Sequence, residues 1–288
     1  YHWGFFVAAA KPGENCHLPR PDKYLFVGDL HCDAKALAQA AELALIHKAK
    51  LCLLGDYTSY GDALDIVLAL TDILPETYSV FGNHEYYLAR HALLGGRKFS
   101  CMDKTWDSLN ATSQARHALL RYLDILQDLP AWRCEGDMVW AHGGIDDVMM
   151  EEEAPPLGRI LKSGHRDRLF NLAMHSKTQN IKSSQSAPTP EWALKITATN
   201  AFVGHYIRHR DHVSLVQNQH GCVTHFVDCG GGKGGHAGLV LMQPDLSGNY
   251  SSRTARTEGL HISWSKPIIE PLQTKTGSNF MPKPQIMW

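Results

Sequence analysis

Five short segments of the chain carry side chains that bind metal ions, and each follows a short apolar run. These segments are Gly28-Asp29-Leu30-His31, Gly55-Asp56, Gly82-Asn83-His84, Ala141-His142-Gly143 and Gly204-His205. Asp56 lies 27 residues after Asp29, and Asn83 lies 27 residues after Asp56, about the length of one strand–helix–strand unit. Carboxylate, amide and imidazole donors together suit manganese, iron or zinc better than calcium or magnesium. The spacing therefore predicts one shared metal centre.

The apolar runs in front of these segments are typical of buried strands separated by helices. Residues 24–27, 51–54 and 78–81 predict three strands, and residues 34–48 and 66–74 predict the helices between them. Crossovers between such strands are right-handed and give a mostly parallel sheet. The carboxyl edge of a parallel sheet brings side chains from separate strands into one crevice. We therefore expect the five segments to meet at that edge.

The remainder of the chain continues the α/β pattern. Residues 106–129 predict one long helix, or two helices with a break at 110–113. The glycine-rich residues 230–235 lack the Gly-Lys-Ser/Thr ending of a phosphate-binding loop and favour a hairpin. Further strands are predicted at 138–140, 201–203, 222–227 and 238–242.

Composition divides the chain into a central domain and two flanking segments. The domain is expected at 24–244, with an N-terminal extension at 1–23 and an extended tail at 245–288 that is rich in Ser, Thr, Pro and Gly. Residues 151–190 differ from the rest of the domain. Between 159 and 182 they hold six Lys or Arg and a single acid, which predicts an inserted surface subdomain or a mobile loop.

The overall composition excludes several classes of protein. The 288 residues carry 28 Lys and Arg against 29 Asp and Glu, so bulk electrostatic binding of nucleic acid is not expected. No apolar run reaches the roughly 20 residues that span a bilayer, so no membrane partner is expected. Seven cysteines without a Cys-x-x-Cys pair are typical of reduced thiols and a cytoplasmic protein. The oligomeric state stays open.

The motif series resembles the calcineurin-like metallophosphoesterase superfamily. Gly-Asp-x-His, Gly-Asp, Gly-Asn-His-Glu, His-Gly-Gly and Gly-His occur in that order, and the resemblance covers about 24–242. The closing segment 226–241 resembles the branch of serine/threonine phosphoprotein phosphatases and symmetrical diadenosine tetraphosphatases. Phosphodiesterases of the superfamily carry Gly-His-x-His at the last motif, where this chain has Ile207. The resemblance implies an α/β fold of two mixed β-sheets, packed face to face and flanked by helices.

The resemblance also implies a dinuclear metal centre that hydrolyses phosphate esters or anhydrides, with a phosphoprotein or a nucleotide as substrate. The implied ligands are Asp29, His31 and Asp56 for the first ion, and Asp56, Asn83, His142 and His205 for the second. Manganese is the expected metal, with iron or zinc as alternatives. A water held between two such ions loses its proton near neutral pH and becomes the nucleophile. His84 is expected to protonate the leaving group as general acid.

The chain departs from the phosphatase branch at the residues that would grip phosphate. Ser59 stands where the branch has the acid that orients the catalytic histidine, and Tyr60 and Phe81 stand where it has arginines. Arg208, Arg210 or the basic insert could replace those arginines. The departures leave two alternatives open: a phosphodiesterase acting on nucleotides or nucleic acid, and a metal-binding protein with weak catalysis.

Three residues near the motifs are expected to have structural roles. Glu85 is expected to cap or support the helix that follows Asn83. Asp228 is expected to be a structural acid at the hairpin, and Cys32 is expected to pack beside the site.

Overall fold

The structure is a computed structural model, which describes part of the chain. The described residues are 23–164, 167–176, 189–244, 250–257, 264–265 and 269–270. The predicted N-terminal extension lies outside them, apart from its last residue, and so does most of the predicted tail.

Helices and short strands alternate along the described residues. The α-helices are α1 (Ala34–His47), α2 (Leu64–Ile73), α3 (Asn83–Leu94), α4 (Asp103–Asn110), α5 (Ser113–Asp128), α6 (Leu157–Ser163), α7 (Arg168–His175) and α8 (Glu191–Lys195). The strands are β1 (Tyr24–Val27), β2 (Lys50–Leu53), β3 (Trp132–Glu135), β4 (Met138–Ala141), β5 (Asn200–Val203), β6 (Ser214–Gln217), β7 (Val223–Phe226), β8 (Asp228–Cys229), β9 (His236–Pro244), β10 (Tyr250–Arg256) and β11 (Ile269–Glu270). Within these ranges, none of the helices has both the length and the apolar character that crossing a bilayer requires.

The strands form two mixed sheets. The first has the order β10-β9-β1-β2, with β8 also paired to β9; β1 and β2 are parallel, and β9 runs antiparallel to its neighbours. The second has the order β11-β6-β7-β5-β4-β3, in which β4, β5 and β7 are parallel and β3 and β6 are antiparallel to their neighbours β4 and β7. The predicted fold class is confirmed.

The two sheets pack face to face through aromatic side chains. Tyr24 and Phe26 of β1 belong to the cluster between the sheets, and the Phe26 ring stacks on Phe202 of β5 at a centroid distance of 3.7 Å. Leu25 and Val27 alternate with them and belong to the larger cluster that includes the helices. Because both faces of β1 are buried, the strand is apolar at every position.

Side-chain caps fix where two of the helices begin. Asp33 accepts a hydrogen bond from the N–H of Ala36 at 2.9 Å at the start of α1. Thr112 accepts one from the N–H of Ala115 at 3.1 Å at the start of α5. Because a threonine cap begins a new helix, residues 106–129 form two helices. The two-helix alternative is confirmed.

The third predicted strand, 78–81, is wrong as a regular strand. The segment is extended and pairs with β2 through two backbone bonds, from Tyr78 N–H to the Leu51 carbonyl at 2.9 Å and from Val80 N–H to Leu53 at 3.0 Å. The segment forms few further strand hydrogen bonds, because α3 begins at Asn83, two residues after it. It still delivers the Gly-Asn-His segment to the same sheet edge.

The predicted surface insert packs into the domain instead. Leu157, Ile160, Phe170 and Met174, from α6 and α7, are buried in the core cluster that contains the other helices. The prediction of a surface subdomain or mobile loop is therefore wrong for α6 and α7, because an apolar face of each joins the main core. Residues 177–188 of the insert lie outside the described residues.

The first sheet extends beyond the predicted domain boundary at 244. Strand β10 pairs with β9 from Tyr250 opposite Pro244 to Arg256 opposite Gly238. The predicted extended tail therefore contributes a full strand to the sheet. Strands β8 and β9 flank the glycine-rich residues 230–235, as the hairpin prediction required.

Candidate metal centre

The ends of four strands and the start of one helix bring the six predicted ligands together. Asp29 and His31 follow β1, Asp56 follows β2, Asn83 opens α3, His142 follows β4 and His205 follows β5. His205 is half-buried, and the other five residues are buried. The site therefore spans the edges of both sheets.

Three buried polar atoms on one side of this site have no hydrogen-bond partner among the described residues. They are Asp29 Oδ2, His31 Nε2 and Asp56 Oδ2. His31 Nε2 lies 3.4 Å from the Asp29 oxygen and 3.7 Å from the Asp56 oxygen. Buried polar atoms without partners are costly, and a shared cation would satisfy all three. The residues predicted for the first ion therefore fit a metal.

His142 is the centre of the second group. Its Nε2 lies 2.9 Å from Asn83 Oδ1, 3.1 Å from His205 Nδ1 and 3.3 Å from Asp56 Oδ1. Its Nδ1 lies 2.9 Å from the Leu54 carbonyl oxygen. An Nδ1–H that donates to this carbonyl leaves the Nε2 lone pair free for a metal. The residues predicted for the second ion therefore also fit one.

Asp56 belongs to both groups. Ligand atoms that lie within 4.8 Å of one another define two clusters: His31, Asp56 and His84, and Asp56, His142 and His205. His84 belongs to the first cluster because its Nε2 lies 3.5 Å from Asp56 Oδ2. Asp29 is not a member, but its Oδ2 lies 3.4 Å from Nε2 of His31, which is. Asp56 is thus the carboxylate placed between the two groups.

The backbone turns sharply at these residues. His31, Asp56 and His205 have φ angles of 42°, 52° and 56°, in the left-handed region that non-glycine residues rarely adopt. Gly82 passes so close to Asp56 that an added Cβ would lie 2.3 Å from Asp56 Oδ1. Strained backbone of this kind is concentrated at functional sites. The turn at His31 lets its side chain approach that of Asp29, two residues earlier.

The Glu85 carboxylate fastens the loop after β2 to the start of α3. It accepts hydrogen bonds from the backbone N–H groups of Asp56 (2.7 Å), Tyr57 (2.9 Å) and Thr58 (3.2 Å), and from that of Gly82 (3.1 Å). The predicted support of the helix is confirmed. Its hydrogen bonds to the loop after β2 could not be predicted from the sequence pattern.

The buried carboxylates of Asp29 and Asp56 favour positive charge at the site. Burial lowers the pKa of His142, but Asp56 and Asp29 outweigh it and raise that pKa to about 9. Burial, with the neighbouring His142, lowers the pKa of His205 to about 3. Burial would raise the pKa of Asp56, yet His142 and His84 hold it well below the usual range. A metal ion would replace the proton that the carboxylates hold on imidazole.

A family model confirms what the motifs and the geometry indicate. The model of the calcineurin-like phosphoesterases matches residues 23–203. The chain belongs to this family. It is therefore a phosphoric ester hydrolase by family, and the family uses divalent metals.

Solved structures are similar to this phosphoesterase at low sequence identity, and the first of them shares its fold. A protein serine/threonine phosphatase from Saccharomyces cerevisiae is 16% identical, with a TM-score of 0.52 over 88% of this chain and 82% of that chain. A putative diadenosine tetraphosphatase is 18% identical, with a TM-score of 0.47 over 82% and 95% of the two chains. A metallophosphoesterase from Sphaerobacter thermophilus is 15% identical, with a TM-score of 0.44 over 82% and 88%. No curated protein matches the sequence.

His84 of the phosphoesterase is held by Ser59. The Ser59 hydroxyl oxygen lies 2.7 Å from His84 Nδ1, and both residues are buried. Burial lowers the pKa of His84. Ser59, at the sequence position where the resemblance implies an orienting acid, therefore holds the ring as a neutral partner.

We expect Ser59→Ala to lower kcat by about fivefold, because one hydrogen bond of about 1 kcal/mol fixes the His84 ring. KM should change little, since the hydrogen bond of the Ser59 hydroxyl goes to the His84 ring rather than to a proposed metal ligand. Ser59→Asn should recover most of the loss, because asparagine tolerates the φ of 96° at this position and its side chain can bond the ring. Steady-state kinetics measure both variants. Equal losses in Ser59→Ala and Ser59→Asn would contradict the orienting role.

The two arginines predicted to grip phosphate have other partners. Arg208 is buried, its Nη1 donates to Thr189 Oγ1 at 3.0 Å, and its guanidinium lies 5.1 Å from the centre of the Phe226 ring. The Nη1 of Arg210 donates to the carbonyl oxygen of Lys233 at 2.8 Å. The structure therefore gives both residues packing and loop-holding contacts, and their role in substrate binding stays a prediction.

Sequence reasoning missed Lys233. Its Nζ lies 5.1 Å from the centre of the Tyr60 ring. Its sequence signal was a lone cation inside the glycine-rich hairpin. Asp228, at the start of that hairpin, accepts a hydrogen bond from Gly230 N–H at 2.7 Å, consistent with its expected structural role.

Proposed function

We propose that this phosphoesterase hydrolyses phosphate esters or anhydrides at a centre of two divalent ions, with His84 as general acid. The observation that carries the proposal is the position of Asp56, whose Oδ2 faces His31 and His84 while its Oδ1 faces His142. A carboxylate between two ligand groups is suited to bridge two ions. The mixed oxygen and nitrogen donors favour manganese, with iron or zinc as alternatives.

Each ion would be held by residues that the geometry brings together. The proposed ligands are Asp29, His31 and Asp56 for the first ion, and Asp56, Asn83, His142 and His205 for the second. When bound, a pair of divalent ions lowers the pKa of water and stabilises charge on phosphoryl oxygens. Among the protein's own groups, Nδ1 of His84 pairs with the Ser59 hydroxyl. In the protonated ring Nδ1–H donates to the Ser59 oxygen, and Nε2–H gives its proton to the departing oxygen, which leaves a neutral imidazole.

The residues at the arginine positions bear on the substrate class. Phe81 is fully buried and cannot contact substrate, whereas Tyr60 is 44% exposed and its ring lies 5.0 Å from the His31 ring. An exposed aromatic face beside the site offers a stacking surface for a nucleobase. The motif series, which resembles the branch of protein phosphatases and diadenosine tetraphosphatases, supports a phosphoprotein or a dinucleoside polyphosphate as substrate. A nucleotide phosphodiester is the second candidate, favoured by Tyr60.

A panel of esters tests the proposal. Purified protein loaded with manganese is assayed against p-nitrophenyl phosphate, its bis ester, phenyl phosphate and diadenosine tetraphosphate. We expect metal-dependent turnover of at least one of them. His84→Asn should lower kcat by roughly 10²- to 10⁴-fold, because general acid catalysis contributes that much. The loss should be larger for phenyl phosphate than for p-nitrophenyl phosphate, since the poorer leaving group depends more on the proton.

His117→Asn is the matched control, because His117 is exposed on α5. Its activity should equal that of the wild type. A metal-loaded wild type that turns over none of the esters would support the metal-binding alternative. An equal loss for both phenyl esters in His84→Asn would remove His84 as the acid.

A further inference from the structure

The loop between β8 and β9 places a cation beside the metal ligands. Lys233 is the only charged residue among the glycines of residues 230–235. Its Nζ lies 5.1 Å from the centre of the Tyr60 ring. That ring lies 5.0 Å from the ring of His31 and 5.5 Å from the ring of His84. The Lys233 ammonium therefore lies near Tyr60, which stands where the phosphatase branch has one of its two arginines.

The loop backbone is fixed against the site. Gly232 has a φ of 63°, and an added Cβ there would lie 2.4 Å from the Cβ of His31, so only glycine permits this approach. Lys233 N–H donates to the Gly230 carbonyl at 3.0 Å, and its own carbonyl accepts from Arg210 at 2.8 Å. These contacts hold the Lys233 backbone next to a metal ligand.

Without metal, the carboxylates around Lys233 favour its charged form. Burial lowers its pKa, but the carboxylates of Asp29, Asp228 and Asp56 outweigh burial, and its pKa lies above the ordinary value for lysine. Two divalent ions against Asp29 and Asp56 leave the loaded site at about +2 by charge counting. Those two carboxylates then no longer attract the ammonium, and an anion becomes its favoured partner.

We propose that Lys233 binds a non-bridging oxygen of the substrate phosphate, in place of the arginines whose positions Tyr60 and Phe81 occupy. An ammonium is a point charge that contacts one oxygen, whereas a guanidinium grips two. A single contact suits a scissile phosphate with fewer free oxygens, as in a diester or in the chain of a polyphosphate. The inference rests on the proposed function, because it places phosphate at the metal centre.

Binding of inorganic phosphate tests the inference without turnover. Orthophosphate is titrated by calorimetry into manganese-loaded wild type, Lys233→Met and Lys233→Arg, and bound metal is counted in each sample. We expect Lys233→Met to weaken binding by about tenfold to a hundredfold, the loss typical of a hydrogen bond to a charged group. KM for the ester that wild type hydrolyses should rise by a similar factor. Lys233→Arg should restore most of the affinity, and both variants should keep two ions per chain.

Lys35→Met is the control, because Lys35 is an exposed lysine on α1. It should bind orthophosphate as the wild type does. Unchanged affinity in Lys233→Met, or a loss of metal from that variant, would overturn the inference. A wild type that binds orthophosphate but hydrolyses no ester would contradict the proposed function alone, and the comparison of lysine variants would still decide the role of Lys233.

Discussion

Asp56→Asn is expected to lower kcat/KM by on the order of a thousandfold or more, a loss of at least about 4 kcal/mol of transition-state stabilisation. Asparagine has the shape of aspartate and keeps an oxygen for the hydrogen bond that Asp56 Oδ1 accepts from His84 N–H at 3.0 Å. It also tolerates the φ of 52°, so the fold should persist. What it loses is the charge placed between the two ligand groups. We therefore expect the variant to bind fewer than two ions.

Elemental analysis after reconstitution, together with steady-state kinetics, checks the Asp56 prediction. The matched control is Asp33→Asn, the same change at the residue that caps α1, because asparagine caps a helix as well as aspartate does. That variant should keep its metal and its activity. If Asp56→Asn kept two ions and a tenth or more of the wild-type activity, Asp56 would not be the bridging ligand.

Glu85→Ala is expected to be the most destabilising single substitution at the site. It would leave four buried N–H groups without partners, those of Asp56, Tyr57, Thr58 and Gly82. Each unsatisfied donor costs about 1–3 kcal/mol, so the free energy of unfolding should fall by at least ~4 kcal/mol. For a domain of this size that lowers Tm by about 10 °C or more. Glu85→Gln should be less severe, because its amide keeps one acceptor oxygen.

Thermal unfolding followed by circular dichroism measures the Glu85 variants, with and without manganese. Glu42→Ala on the exposed face of α1 is the control and should shift Tm little. Metal affinity should fall in Glu85→Ala even below its Tm, because the loop that carries Asp56 loses its attachment to α3. A stable Glu85→Ala protein with normal metal content would show that the backbone holds Asp56 without the carboxylate.

The positions of the candidate metal ligands could be predicted because strand ends are local features. A buried strand is an apolar run, and the residue after it must leave the sheet, so Asp29 and His142 could be placed at the edge from the sequence. The strand predicted at 78–81 was wrong for a related reason. The apolar pattern of residues 78–81 indicates that the segment is buried. It does not indicate how many backbone hydrogen bonds the segment forms with the neighbouring strand.

The sequence analysis chose Arg208 and Arg210 as candidate phosphate-binding residues because proximity in sequence was the available guide. Arg208 lies three residues after His205, yet the chain turns and its guanidinium packs over Phe226. Lys233 lies much further along the chain and approaches the site through a glycine hairpin that docks against His31. Such docking depends on contacts between β8, β9 and the loop after β1, which no local pattern contains.

The family resemblance implied the two mixed sheets. The sequence by itself determined the types of the candidate metal ligands, their order along the chain and their places at the ends of strands. These follow from short-range rules, since burial sets the apolar runs and glycine permits the turns that end them. The tertiary structure alone decided which side chains support and complete the site. Glu85 holds two segments together, Ser59 orients His84, and Lys233 faces Tyr60. Each of these contacts joins residues that lie far apart in sequence or on separate elements, and only the packed chain fixes the distance between them.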